Sequence, residues 1–145
     1  MKIKDQDGAT VVEFALVLPL LVVFIFGIIE FSLLSYNKAM ITNASREAAR
    51  NVIVYRYPEL LPDEIKTQAK NVAEAYCFNH LISFDGNKTP DVPLTSPDFI
   101  IGGDSLTVTV KYNYQFLIFP NVMELIKGSY TNSIPLQAKT VMKFE

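Results

Sequence analysis

The stretch ATVVEFALVLPLLVVFIFGIIEFSLL, residues 9–34, decides the fold, because nothing else in the chain is apolar for long enough to leave water altogether. Between Glu13 and Glu30 there is no charged residue. An α-helix rises about 1.5 Å per residue, so the uncharged run 14–29 is roughly 24 Å long. Its weakly polar flanks, 9–12 and 31–34, carry it past the roughly 30 Å of hydrocarbon in a bilayer. About a dozen Leu, Ile, Val and Phe side chains, each favouring insertion by about 0.3 to 0.6 kcal/mol, outweigh the few kcal/mol that a carboxylate near one end costs. The stretch therefore reads as a membrane-spanning helix, its span at about 11–34. Glu13 does not veto insertion, but a charge at that place needs a reason.

The chain of 145 residues has room for one modest domain beside this helix. A net charge of −2 with no basic face argues against nucleic acid as a partner. The mean hydropathy of +0.22 is high for a soluble chain, and the apolar helix accounts for it. The single cysteine, Cys77, excludes an intrachain disulfide. Secretory cleavage behind the helix is not expected: residues 31–36 are bulky, and the Thr42-Asn43-Ala44 triplet lies too far downstream.

In front of the helix lies MKIKDQDG, residues 1–8, a short polar leader. A cut after Gly8 makes Glu13 the fifth residue of the product, with Phe14 directly behind it. That arrangement resembles the processing site of type IV prepilins, in particular those of the tight-adherence branch. Three blocks, FALVLPLL at 14–21, GIIEF at 27–31 and ASREAAR at 44–50, resemble the TadE family of pilin-like proteins. The likeness runs from Gly8 to about Arg50, a third of the chain.

The resemblance implies a prepilin peptidase that cuts between Gly8 and Ala9, and glycine suits such a cleft because its backbone has no Cβ to keep clear of the enzyme. It also implies that Glu13, with Phe14 beside it, pairs during assembly with the N-terminal amine of a neighbouring subunit. A charge costly alone in lipid becomes favourable against an opposite one, so the pair sets register as well as holding it. A hydrated Glu13 at headgroup level, without a partner, is the plainer reading. Orientation is also taken from the resemblance, because Lys2 and Lys4 on one side nearly balance Lys38, Arg46 and Arg50 on the other. It places residues 1–8 in the cytoplasm and the rest of the chain outside a bacterial inner membrane. The implied partners are the peptidase, other pilin and pseudopilin subunits, an inner-membrane assembly platform and the lipid bilayer. Major subunits of this branch are much shorter chains, so a large head implies a minor component.

Pro19 falls inside the span, where it removes one backbone donor and leaves the Ala15 carbonyl to find another partner. A kink used in assembly and a merely tolerated kink fit it equally. Glu30, at the outer end, reads as an interfacial carboxylate in water. Beyond it the helix continues to about Tyr55, with Ile41, Ala44, Ala48 and Val52 forming a narrow stripe of mostly small residues. The stripe suits close packing against a neighbouring subunit or against the chain's own C-terminal part.

Pro58 ends this helix, and Pro62-Asp63-Glu64 opens another, since proline and acids both favour a first turn. Ile65, Ala69, Val72 and Tyr76 give it one apolar face. Cys77 and His80 near its end lack the further ligands a metal site needs and any signature of a nucleophile pair, so both are read as structural. Residues 84–104 read as a loop with a short strand at Phe99 to Ile101. Leu106, Val108, Val110, Tyr112, Tyr114 and Phe116 then alternate with polar residues, the pattern of a half-buried strand. A hydrophobic connection, 117–127, includes a helical turn that Gly128 ends. Residues 134–144 alternate again, with Leu136, Ala138, Thr140 and Met142 on one side.

The expected fold is α+β: a long N-terminal transmembrane helix carrying a small pilin-like head made of a second helix and a two- or three-stranded antiparallel sheet. Its parts are a leader at 1–8, the long helix at 9–57 and the head at 58–145. With one histidine, no glycine-rich phosphate loop and no metal motif, the chain is not expected to be an enzyme or to need a cofactor. The function expected is that of a minor pilin or pseudopilin in a tight-adherence pilus or secretion machine. The competing reading is an uncleaved single-pass protein whose outer domain binds an envelope partner.

Overall fold

A computed structural model describes residues 4–54, 62–84, 86–95, 104–117 and 132–144. The first element, α1, is one unbroken helix, Lys4–Val54, with Pro19 inside it. At about 1.5 Å per residue it is roughly 75 Å long. It begins within the polar leader, four residues before Gly8, and so earlier than residue 9. From Gly8 to Ile29 every residue is exposed, and the buried positions start at Glu30.

The stripe of small residues lies against the chain's own head. Ile41, Ala44, Ala48 and Val52 are buried, together with Ala49 and Ser45 beside them. Against this face packs α2, Pro62–His80, which opens on Pro62 with Asp63 and Glu64 in its first turn. It runs antiparallel to α1, since Gln68 reaches Asn51 (3.0 Å) near one end and Ile82, just past the helix, meets Asn37 at the other. Its buried line is Ile65, Ala69, Ala73, Cys77 and Leu81, with Val72 and Tyr76 only partly covered. The face is therefore rotated from the expected one. Small side chains, Ala73 and Cys77, occupy the centre of the contact with an alanine-lined helix, and the larger Val72 and Tyr76 cover its flank.

The rest of the core is a three-stranded antiparallel sheet in the order β1-β2-β3: Leu94–Thr95, Ser105–Gln115 and Ser133–Lys143. Alternation along β2 buries Leu106, Val108, Val110, Tyr112 and Tyr114, and β3 adds Leu136 and Ala138, with Thr140 and Met142 half-buried. The register sets Leu106 opposite Met142, Val110 opposite Ala138 and Tyr114 opposite Ile134. Pro93, just before β1, and Pro135 in β3 sit at the two sides of the sheet, where a missing N–H is tolerated. Ahead of β1, Asp91 and Lys111 exchange two backbone hydrogen bonds of 2.8 and 2.7 Å. Gly86 takes a φ of +78°, which a side chain would resist. The Asn87 carboxamide then accepts from the Thr89 N–H and hydroxyl, and the Asn87 carbonyl accepts from the Tyr112 hydroxyl at 3.2 Å.

The observed third strand is at 94–95, and the strand expected at Phe99 to Ile101 lies outside the described residues. So do Pro58, most of the 117–127 connection, and Gly128.

A stripe this narrow leaves no room for larger side chains. Ala48→Leu, at a fully buried position, should destabilise the head by about 1 to 3 kcal/mol through overpacking. Ala39→Leu, on the exposed side of α1, should change stability by less than about 0.5 kcal/mol. Urea unfolding of the detergent-solubilised chain, followed by the near-ultraviolet signal of its tyrosines, compares the two.

Candidate functional site

Two carboxylates bracket the apolar run of α1, and the fold treats them differently. Glu13 is exposed and makes no ion pair among the described residues. Phe14 beside it is 61% exposed. Ala9 lies four positions before Glu13, about one helical turn and 6 Å along the axis. Gly8 is exposed as well, and a Cβ built there would meet nothing within 4 Å. Gly8, Ala9, Glu13 and Phe14 thus occupy one open section of helix.

Glu30 is only 6% exposed, so it is not an interfacial carboxylate in water. Its Oε1 accepts from the Tyr114 hydroxyl at 2.8 Å and from the Leu117 N–H at 3.0 Å, and Oε2 lies 3.2 Å from the same N–H. Burying a charge is costly, and short bonds to a charged acceptor are what offset the cost. Burial and the bond to Glu30 together raise the Tyr114 phenol above its ordinary range, so it stays protonated and donates. Phe116 stands edge-on to the Tyr114 ring, with centroids 5.6 Å apart. The alternation had marked Tyr114 as inward-facing, and a buried hydroxyl needs an acceptor. That requirement was the available signal for Glu30.

Asn37, fully buried on the same face two turns on, does a similar job for α2. Its Nδ2 donates to the Ile82 carbonyl (2.9 Å) and its Oδ1 accepts from the Ile82 N–H (3.0 Å), so one side chain satisfies both backbone groups of one residue. The Tyr36 hydroxyl donates to the His80 carbonyl at 3.1 Å. Lys38 Nζ donates to the Gln137 carbonyl, and the Ser45 and Thr140 hydroxyls are 2.7 Å apart. The polar side chains of α1 therefore tie α2, β2 and β3 to the stretch of helix from Glu30 to Ser45.

Cys77 is fully buried in the core. Burial, with Glu74 nearby, pushes its thiol up to about 11, so it stays protonated at neutral pH and is a poor nucleophile. His80 stacks on Tyr76, ring centroids 4.3 Å apart, with Nδ1 2.9 Å from the Tyr76 carbonyl. Among the described residues there is no group of three or more His, Cys, Asp or Glu side chains able to hold a metal ion.

Among the described residues one helix, within Gly8–Ile53, has the length and composition to cross a membrane, and its most apolar stretch is wholly unburied by the chain itself. Residues 8–50 match the family model of TadE-like proteins. The N-terminal part of the chain is TadE-like. No curated protein and no solved structure matches the chain. The TadE-like segment begins at Gly8 and stops within the part of α1 that the head covers, so it contains both Glu13 and Glu30. TadE-like proteins are a pilus-associated, structural class rather than an enzyme class.

Tyr114→Phe removes one of the donors to Glu30 and should cost the head about 1 to 3 kcal/mol, measured by the same urea unfolding. Cys77 should resist maleimide in the folded chain at pH 7.5 and react promptly once urea has unfolded the head, with mass spectrometry reporting the adduct.

Proposed function

We propose that the chain is the precursor of a minor pilin or pseudopilin of a tight-adherence pilus or secretion machine. It is inserted in a bacterial inner membrane with residues 1–8 in the cytoplasm and the head outside. A prepilin peptidase cuts after Gly8, and the product enters assembly through its apolar helix. The observation that carries this reading is the contrast between the two carboxylates. Glu30 is used within the chain, whereas Glu13 stands exposed among Gly8, Ala9 and Phe14 on a TadE-like helix.

Cleavage creates an ammonium at Ala9. In a bilayer or a filament core the Glu13 carboxylate then has a counter-charge on the neighbouring subunit, and forming that pair removes two costly isolated charges at once. The exposed apolar side chains of residues 14–29 supply the contact area, first with lipid and then with neighbouring helices. Pro19 lies within this stretch, where packing against neighbours can serve the freed Ala15 carbonyl. The assembly platform and the other subunits are the partners this scheme requires. The chemistry is packing and charge pairing, with no catalytic step.

Expression with and without the cognate peptidase tests the scheme. The intact mass and N-terminal sequence should show a product beginning at Ala9 only when the peptidase is present. Retention of residues 1–8 in both cases would favour an uncleaved membrane-anchored binding protein. In the cleaved background Glu13→Ala should lose about 3 to 5 kcal/mol of subunit association, more than a hundredfold. It should therefore vanish from the sheared pilus fraction while remaining in membranes.

A further inference from the structure

Contacts with α1 fix the height of each part of the head along the helix. Tyr114 and Leu117 meet Glu30, His80 meets Tyr36, and Ile82 meets Asn37. From Glu30 to Asn37 is two turns, about 10 Å of helix. The ends of α2 and β2 therefore share one narrow slab, and the pairing of Tyr114 with Ile134 brings the start of β3 into it. This slab begins where the uncharged run 14–29 stops.

Large apolar side chains face outward from it. Tyr36, Ile82, Phe84, Leu117 and Ile134 are between 37% (Ile82) and 46% (Phe84) exposed. The far end of the head has another character: Asp63 and Glu64 open α2 there, and the Lys66–Asp63 and Arg50–Glu47 pairs lie at that end. Exposed apolar residues scattered singly need no explanation. Here they come from α1, the 82–84 segment, Leu117 just past β2 and the start of β3, and they gather at the end from which the membrane helix leaves the head.

We propose that this rim is a second membrane contact: the base of the head rests in the interfacial layer of the bilayer that its own helix crosses. Ile82, Phe84, Leu117 and Ile134 reach the boundary of headgroups and acyl chains, and Tyr36 takes the place of an interfacial aromatic with its hydroxyl already satisfied. The occupant is lipid because the rim is continuous with the lipid-facing section of α1, and the fixed joint at Glu30 and Asn37 holds it at that height however the whole molecule turns about the helix axis. Glu30 fits this depth. A carboxylate left on the outside of the helix would be in the same layer, and the head instead withdraws it from lipid. The inference rests on the reading of α1 as a membrane span and not on cleavage after Gly8.

The chain contains no tryptophan, so single tryptophans report their own depth. Phe84→Trp and Ile134→Trp probe the rim. Phe24→Trp is the reference inside the span, and Val141→Trp, 55% exposed toward the other end of β3, is the reference above it. Each full chain is reconstituted in phosphatidylcholine and phosphatidylglycerol vesicles with acyl chains brominated near the headgroup for the rim sites and Val141→Trp, and near the bilayer centre for Phe24→Trp. Protection of Cys77 from maleimide certifies the fold, and the two rim sites lie in different segments, so either can decide alone. Rim tryptophans should lose about half of their emission to brominated lipid and emit to the blue of Val141→Trp, which should be almost unaffected. Quenching of Phe24→Trp with rim sites no more quenched than Val141→Trp would overturn the proposal. Absence of quenching at Phe24→Trp as well would overturn it by removing the span, a failure distinct from that of peptidase processing, which this experiment does not involve.

Discussion

The carboxylate of Glu30, held by the Tyr114 hydroxyl and the Leu117 N–H, is the constraint on which the rest of the architecture depends. It is the first buried position of α1 among the described residues, and it sets both the rotation of the helix against the sheet and the height at which the head begins. Continuing along the same face, Asn37, Ile41, Ala44, Ala48 and Val52 follow at helical spacing. The face is polar where the head has chain ends to satisfy and apolar where it has side chains to cover. Glu30 meets the N–H just past the end of β2, and Asn37 meets both backbone groups of Ile82 just past α2. Backbone groups at element ends must find partners when buried, and here the anchor helix supplies them.

A consequence is that the two acids of the helix have different physical fates despite similar surroundings in the sequence. Both flank the same uncharged run. Glu30 is desolvated inside the chain and is compensated there, so its hydrogen bonds contribute to the joint between head and helix. Glu13 is exposed at the other end, and any compensation for it in an apolar environment has to come from outside the chain. A helix with one internally satisfied and one open carboxylate suits a subunit that is a finished unit at its head end and an unfinished one at its N-terminal end.

Much of this was legible in the residues because the signals were periodic. The alternation along 106–116 and 134–144 marked both long strands and their inward faces, and the stripe at 41, 44, 48 and 52 marked the side of α1 that the head covers. Whether that stripe met another subunit or the chain itself was a question of tertiary contact that spacing alone leaves open. On α2 the face was right at Ile65 and Ala69 but misplaced by one position beyond them, because Val72 and Tyr76 are larger than Ala73 and Cys77, yet the small pair is what a close helix contact admits. Glu30 was misread for a related reason. Its solvation depends on Tyr114 and Leu117, more than eighty residues away along the chain. The two-residue β1 carried no periodic signal at all.

The head and the anchor are energetically one body. A sheet of two long strands with a two-residue edge strand is marginal in water without cover, and α1 covers it, with α2 packed in turn on α1. The single cysteine is committed to the core as a small apolar residue, so no cross-link compensates for a lost helix. The buried half of α1, from Glu30 to Val52, is therefore as much a part of the head's core as β2 is. One unbroken helix joins its exposed half to the same face that Glu30 and Asn37 hold. At that joint Glu30 and Asn37 each make two polar contacts, and Ala44, Ala48 and Ala49, which have no rotamers to lose, carry much of the apolar packing beside Ile41 and Val52.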